Sequence, residues 1–450
     1  MLDIQQTLID DEAGPSWLAD FQTANNNLWS SQNWPTRKTE SWKYTSLKAI
    51  ETGGYRPRSA INSGSDQAQA NGAVSGSVIE SVIASSRIEG LETIDVVFVN
   101  GAFSPSLSSV DTLPSGVELC LFSQANSQQQ ADIREHLGSV AKAEQHVFVA
   151  LNGGQLKDGV FVKVQKNTVV DNPVRVLWIT TQQKQSLALA QRLLVVVEEG
   201  AKASIVEQFV SSEEEQNCFT HGVTELVLQD NSKLFHYRLH QEQEKTALVS
   251  GVHAKLLRSA TLESFYLAFG GTIKRLDVVV DHQGQGAHCE MNGVYLPRNS
   301  QHVDFHTCIE HAVPHCTTNE VFRGIIGDSA KAVFNGRIHI HKDAQKTLAQ
   351  LSNKNLLTSN KAEIDTKPEL EIYADDVQCA HGATVAQLDE MSLHYLRTRG
   401  VSTEEAKVML SFGFINALVD QVHHQAIANY LRPILANLFA QDPELMRHIA

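Results

Sequence analysis

The sequence has no apolar run approaching the roughly 18 residues needed to cross a bilayer, no block of lysine or arginine, and no Cys-x-x-Cys pair. The first absence argues against membrane insertion. The second, with a formal net charge of −14, argues against nucleic acid, because a phosphate backbone would be repelled and no basic groove offsets this. The third argues against both a disulfide framework and a standard zinc finger. Cys120, Cys218, Cys289, Cys308, Cys316 and Cys379 are scattered along 450 residues and read as reduced thiols, mostly buried small hydrophobes. Met1-Leu-Asp-Ile-Gln-Gln-Thr7 has neither the basic start nor the apolar core of a signal peptide, so the expected compartment is the cytoplasm.

Catalytic signatures are missing as well. There is no phosphate-binding Gly-x-x-x-x-Gly-Lys loop, no Gly-x-Ser-x-Gly elbow, no His-Glu-x-x-His and no dinucleotide fingerprint. A sugar-processing site would need convergent carboxylates. The best adjacent pair, Asp375-Asp376, would point to opposite faces of a strand.

What is present is an ordinary globular composition, 42% hydrophobic and 20% charged, in a chain too long for one compact core. Trp17, Trp29, Trp34 and Trp42 are crowded at the start and predict a small helical, aromatic-rich module. Ser59–Gly72 is rich in Ser, Gly, Ala and Gln and reads as a linker, and Gln124–Gln130 reads as an exposed polar loop. From Val160 short β-branched runs alternate with turns: Val160–Val164, Val174–Ile179, Leu193–Val197, Leu234–Leu239 and Val333–Ile340. The turns Glu199-Gly-Ala, Asp230-Asn-Ser, Arg258-Ser-Ala and Asp328-Ser-Ala recur as one unit. Ala201, Ser232 and Ala260 are about 30 residues apart, a solenoid-like period. Gly270-Gly271 and Gly284-Gln-Gly286 read as further turns. An antiparallel sandwich is the competing architecture.

After Thr384 the pattern becomes helical. Leu388–Arg399 stops at Gly400, and Ser402-Thr-Glu-Glu405 is a capping box opening Ala406–Val422 with an apolar face of Met409, Leu410, Phe414, Ala417 and Leu418. A last helix, Ala426–Phe439, is expected to be interrupted at Pro433. The apolar face of this bundle serves either its own core or a partner. Three regions follow: 1–150, helical and aromatic-rich with a linker; 151–385, the β core; and 386–450, helical.

The densest set of metal donors is His302, His306, His311, His315 and Cys316, with Asp304, Cys308 and Glu310 among them. On a strand His302, Asp304 and His306 share one face, so an alternating polar row explains them equally well. Cys379 and His381 form a Cys-x-His pair on one side of a strand, close enough to share a metal or for the imidazole to lower the thiol pKa.

Asn335-Gly-Arg-Ile-His-Ile-His341, Ala344-Gln-Lys-Thr347, Asn353-Lys-Asn-Leu-Leu357, Asp365–Val385 and Tyr395-Leu-Arg-Thr-Arg-Gly400 together resemble the SufB/SufD family of the SUF iron–sulfur cluster assembly system. The likeness is strongest over about 335–415, and Glu40-Ser-Trp-Lys-Tyr-Thr-Ser-Leu47 is similar to a segment near SufD N-termini. The aromatic start, and Gly382 where SufB-type sequences carry Glu, favour the SufD branch. The resemblance implies a right-handed parallel β-helix (β-solenoid) flanked by N- and C-terminal helical modules, and a non-catalytic scaffold. It implies a heterodimer with a SufB-like paralogue through the β-helix, and C-terminal helices that dock a SufC-like ATPase. It also implies a transient iron–sulfur cluster shared with the paralogue, none being tightly held by the isolated chain. His381 is then the candidate ligand and Cys379 a weaker second; imidazole in place of thiolate raises a cluster's potential. Two alternatives stand beside it: a metal-dependent β-helix enzyme using His302, His306, His311 and His315, and a SufB-like scaffold that holds a cluster by itself.

Overall fold

The computed structural model describes residues 4–9, 14–57, 76–213, 217–242 and 244–439. The Ser59–Gly72 linker lies outside the described residues. From Val160 to Ala386 every named element is a strand, and the strands are assigned alternately to two sheets. Within each sheet, every solenoid strand pairs in parallel with the strand one full turn later, as Lys202, Lys233 and Thr261 show. The fold is therefore a parallel β-solenoid, and the sandwich is excluded by strand direction.

The sequence repeat maps onto this ladder. Ala201, Ser232 and Ala260 directly precede the register-paired Lys202, Lys233 and Thr261, so their spacing is the length of one turn. Asp328-Ser-Ala330 does not belong to that column. It precedes Lys331, which starts a strand of the other sheet; both edges of the solenoid use similar tight turns, with Asn231, Ser259 and Asp328 all in the left-handed region. Gly270-Gly271 and Gly284–Gly286 are inter-strand turns as expected. At Gly284 a Cβ would lie 1.9 Å from the Arg258 amide nitrogen. Gly284→Ala is expected to destabilise the fold by about 1–3 kcal/mol, read as a lower thermal midpoint; an unchanged midpoint would mean the turn relaxes freely.

Alternation divides each strand between an interior and an outer face. Val252, Leu276, Ile309, Phe305 and Ile338 belong to the central core. The interior is not wholly apolar. Arg238 donates to Glu207 at 3.0 Å and to Ser250 Oγ at 2.6 Å, and His236 lies 3.0 Å from Glu207, all buried. Because the Glu207 carboxylate also accepts from Thr224 and is paired with the Arg238 guanidinium, this charge cluster survives burial.

The helical modules cover the outer faces. On the first sheet, Trp29, Trp42, Ile50 and Phe148 pack against Phe219, Val223, Val249 and Ile273. Gln124–Gln130 is a correction to the expected loop: it enters the helix Ser127–His136, capped by the Asn126 side chain in a capping box with Gln129. A polar tract can be helical when its cap is good and one residue, here Ile133, reaches the core. On the second sheet, helices Thr403–Val419 and Gln425–Phe439 pack Ile415, Leu418, Val419, Ile427 and Leu431 onto Phe235, Phe265, Leu267 and Val294. The Ser402 capping box forms. The buried row is Val408, Ser411, Ile415, Leu418 and Val419, with Met409, Leu410 and Phe414 half-buried and Ala417 exposed, so the seam is rotated from the expected face. Pro433 does not interrupt the last helix; it is exposed, and one lost hydrogen bond is offset by the packed opposite face.

Candidate functional site

The last strand of the second sheet, Gln378–Ala386, pairs on one side only, with Leu348–Leu357. Register places Cys379 beside Ala349 and His381 beside Leu351, both of them interior residues. Register partners in a parallel ladder face the same way. Cys379 thus extends the interior column of Ala349, Thr318 and Cys289, and His381 extends that of Leu351, Glu320 and Met291. No further turn among the described residues covers them. Cys379 is half-buried, His381 is exposed, and around them Ile372, Tyr373 and Val385 are exposed apolar groups.

The Cys379 thiol lies above its ordinary pKa, chiefly through burial, opposed by a hydrogen bond from the Ala349 backbone. The lowering of this pKa that His381 could have supplied is not found: burial and the Ala349 amide account for the shift. Cys379 belongs to no convergent set of three metal donors among the described residues, nor does His381. Two donors at an uncovered end can share a ligand set but not complete one.

The histidine-rich stretch is the strand His302–His311. His302, Asp304 and His306 do share the outer face, and there His302 and Asp304 fasten the N-terminal module, with His306 3.0 Å from Asp304. Thr45 Oγ1 lies 2.9 Å from His302 Nε2 and donates to Asp304 at 2.5 Å, while Arg275 bonds Asp304 at 3.1 Å. The Arg275 guanidinium lies 3.9 Å over the Trp42 ring. Burial alone would raise the Asp304 pKa, but His306 and Arg275 outweigh it and hold the carboxyl well below the usual range. The Glu40–Leu47 motif is thereby explained as a docking strip: Trp42 and Thr45 plug into this polar row.

His311 has the opposite parity and is interior, stacked on His282 at 4.4 Å; burial pushes its pKa down to about 4. His315 occupies a turn with φ 63°, and Cys316 is buried with its thiol 3.4 Å from the Gly284 carbonyl. His302, His306, His311, His315 and Cys316 are therefore not brought together. The donors that do converge are Glu310, His339 and His341, whose ligand atoms lie within 4.8 Å of one another. Sequence reading missed this trio although the signal was there: Glu310 and His339 are register partners one turn apart, and His-x-His puts both imidazoles on one side of the chain. A cleft of about 910 Å³ opens beside them, between the N-terminal module and the sheet, lined by Trp42, His146, His253, Cys308, Arg337 and His339.

Comparison with known proteins matches residues 179–414 to the SUF system FeS cluster assembly, SufBD core domain, and residues 4–176 to the SufBD protein N-terminal region. The iron–sulfur cluster assembly protein SufD of Escherichia coli is 29% identical over 87% of this chain and 86% of its own. Protein ABCI7, chloroplastic, of Arabidopsis thaliana is 28% identical over 89% of this chain and 82% of its own. An iron–sulfur cluster assembly SufBD family protein of Synechocystis is 29% identical over 75% of this chain and 76% of its own. SufB of Bacillus subtilis is 24% identical over 64% of this chain and 62% of its own. With both family regions matched in order, and with a parallel solenoid as its core, the chain belongs to the SufBD family of SUF-system iron–sulfur cluster assembly proteins.

Proposed function

We propose that this chain is a SufD-type scaffold subunit, non-catalytic and cytoplasmic, that assembles with a SufB-like paralogue and a SufC-like ATPase. The observation that carries the proposal is the open end of the solenoid. Its last strand leaves a row of backbone donors and acceptors unpaired, which is a template for another chain's strand, and it presents two metal-ligating side chains at the same edge. A paralogue seated there would cover Ile372, Tyr373 and Val385 and supply the ligands this chain lacks. The nascent iron–sulfur cluster is cargo, held between subunits by His381 and, secondarily, Cys379. The ATPase docks on the C-terminal helices, whose other face is already committed to the solenoid.

The alternative of a metal-dependent enzyme using His302, His306, His311 and His315 loses its site, because those imidazoles do not converge. Co-expression with the paralogue and the ATPase tests the class: the three chains are expected to purify together, and recovery of this chain alone would sink the proposal. The ligand role is tested in cells that depend on the SUF system. His381→Ala is expected to abolish cluster assembly while the complex still forms, and undiminished assembly would remove His381 from the site.

A further inference from the structure

We propose that Glu310, His339 and His341 form a mononuclear site for a divalent first-row transition ion on the outer face of the first sheet. This goes beyond the scaffold reading and does not depend on it, since none of the three residues belongs to the last turn.

The ladder builds the site. Glu310 and His339 are register partners, and His341 follows two residues on, its amide still bonded to the His311 carbonyl at 3.0 Å. A single carboxylate oxygen, Glu310 Oε2, lies 2.6 Å from His339 Nδ1 and 2.8 Å from His341 Nε2. Arg337 Nη2 is 3.2 Å from the same His339 Nδ1. A guanidinium can only donate, so that nitrogen offers a lone pair and carries no proton for Glu310. A lone pair and a carboxylate oxygen then face each other at hydrogen-bond distance, an arrangement that a cation between them resolves. The proton-only solution is poorer. It puts the proton on His339 Nδ1, where a neutral imidazole can carry it, and so turns that N–H against the Arg337 N–H group 3.2 Å away.

The charge and space around the trio suit an ion. Arg337 keeps two bonds to Glu371, at 2.8 and 3.1 Å, so it can release His339 without losing its partner. Asp281 is the register partner of Glu310 on the other side, with Lys255 beyond it. Three carboxylates therefore face two fixed cations. His341 is 45% exposed, and a cavity of about 410 Å³ bordered by Asp281, Gln283, Glu310 and His341 lies alongside. It has room for water ligands and gives Asp281 a route to become a fourth donor. Two imidazoles and a carboxylate with open positions are the donor set of zinc hydrolases and of non-haem iron(II) sites. Magnesium and calcium prefer all-oxygen shells.

The test is titration of the chelator-stripped, full-length chain with Co²⁺ at about pH 7.5, where unperturbed imidazole is mostly neutral. One equivalent is expected to bind, with a visible ligand-field band and an X-ray absorption shell of nitrogen and oxygen that includes imidazole scattering. His339→Ala and His341→Ala are each expected to weaken binding by more than about tenfold, whereas His394→Ala, on the exposed C-terminal side of the chain, leaves it unchanged. Absence of saturable binding, a shell dominated by sulfur, or unchanged affinity in the His339→Ala/His341→Ala double variant would overturn the assignment. The wild-type spectrum decides the matter even where a variant folds poorly.

Discussion

Glu225→Gln is expected to destabilise the protein by about 3–5 kcal/mol, the cost of stranding a buried charge. Glu225 and Arg192 are ion-paired at 0% exposure on both sides. The glutamate also accepts the backbone amides of Gly138, Val140 and Ala141 at 2.8, 3.2 and 3.1 Å. Arg192 in turn bonds Asn152, whose amide bridges the Gln191 and His221 carbonyls. One carboxylate thus pins the N-terminal module to the solenoid wall. The amide substitution keeps the shape and removes the charge, so Arg192 remains buried with no counter-ion while the three amides lose a charged acceptor. The change is read as a lower thermal midpoint together with early proteolysis between the module and the β core. A midpoint within error of wild type would show that solvent reaches the pair.

Glu320→Gln is expected to act in the opposite direction and to depend on pH. Glu320 lies in the interior column that ends at His381, accepts one hydrogen bond, from Thr307 at 2.6 Å, and has no partner for its second oxygen among the described residues. Burial raises its pKa from 4.5 to about 7, with the Thr307 bond opposing. A carboxyl whose pKa is raised on folding holds its proton longer in the native state. Its contribution is fully favourable below the unfolded pKa and is lost as pH rises through the folded one. Between about pH 4.5 and 7 the wild type should lose about 3 kcal/mol from this group alone, at 1.36 kcal/mol per unit. The glutamine variant removes that loss. It should be more stable than wild type near pH 8, with the gap closing toward pH 5; parallel denaturation profiles at the two pH values would refute the assignment.

The solenoid was legible because its turn length is written twice in the sequence, once in the turn residues near Ala201, Ser232 and Ala260 and once in the β-branched runs between them. The Asp328 turn was misplaced because the two edges use the same turn chemistry and composition does not distinguish them. Interior and exterior were legible wherever parity was followed: His302 and His306 point out, and His311, an odd number of residues from His302, points in. Counting the histidines as one cluster ignored that rule. The Glu310, His339 and His341 trio was hidden for the converse reason, since its members are adjacent only after one full turn is subtracted. Cys379 and His381 were found through the likeness around them. What sequence did not reveal is that they cap interior columns rather than decorate an outer surface.

The two ends of the ladder are unlike. At the start, Val117–Leu121 and Ala102–Phe103 pair antiparallel to their neighbours; at the finish, Glu363–Ile372 and Gln378–Ala386 are edge strands in register with their sheets. Helical modules already occupy both broad faces. The free edges at the finish run ten and nine residues, those at the start five and two, so the finish is the better template for strand addition. A partner of the same plan joined there, as proposed above, would use up the long edges of both bodies and leave the short ones outward. The asymmetry of the solenoid itself thus disfavours growth into a fibre beyond two bodies.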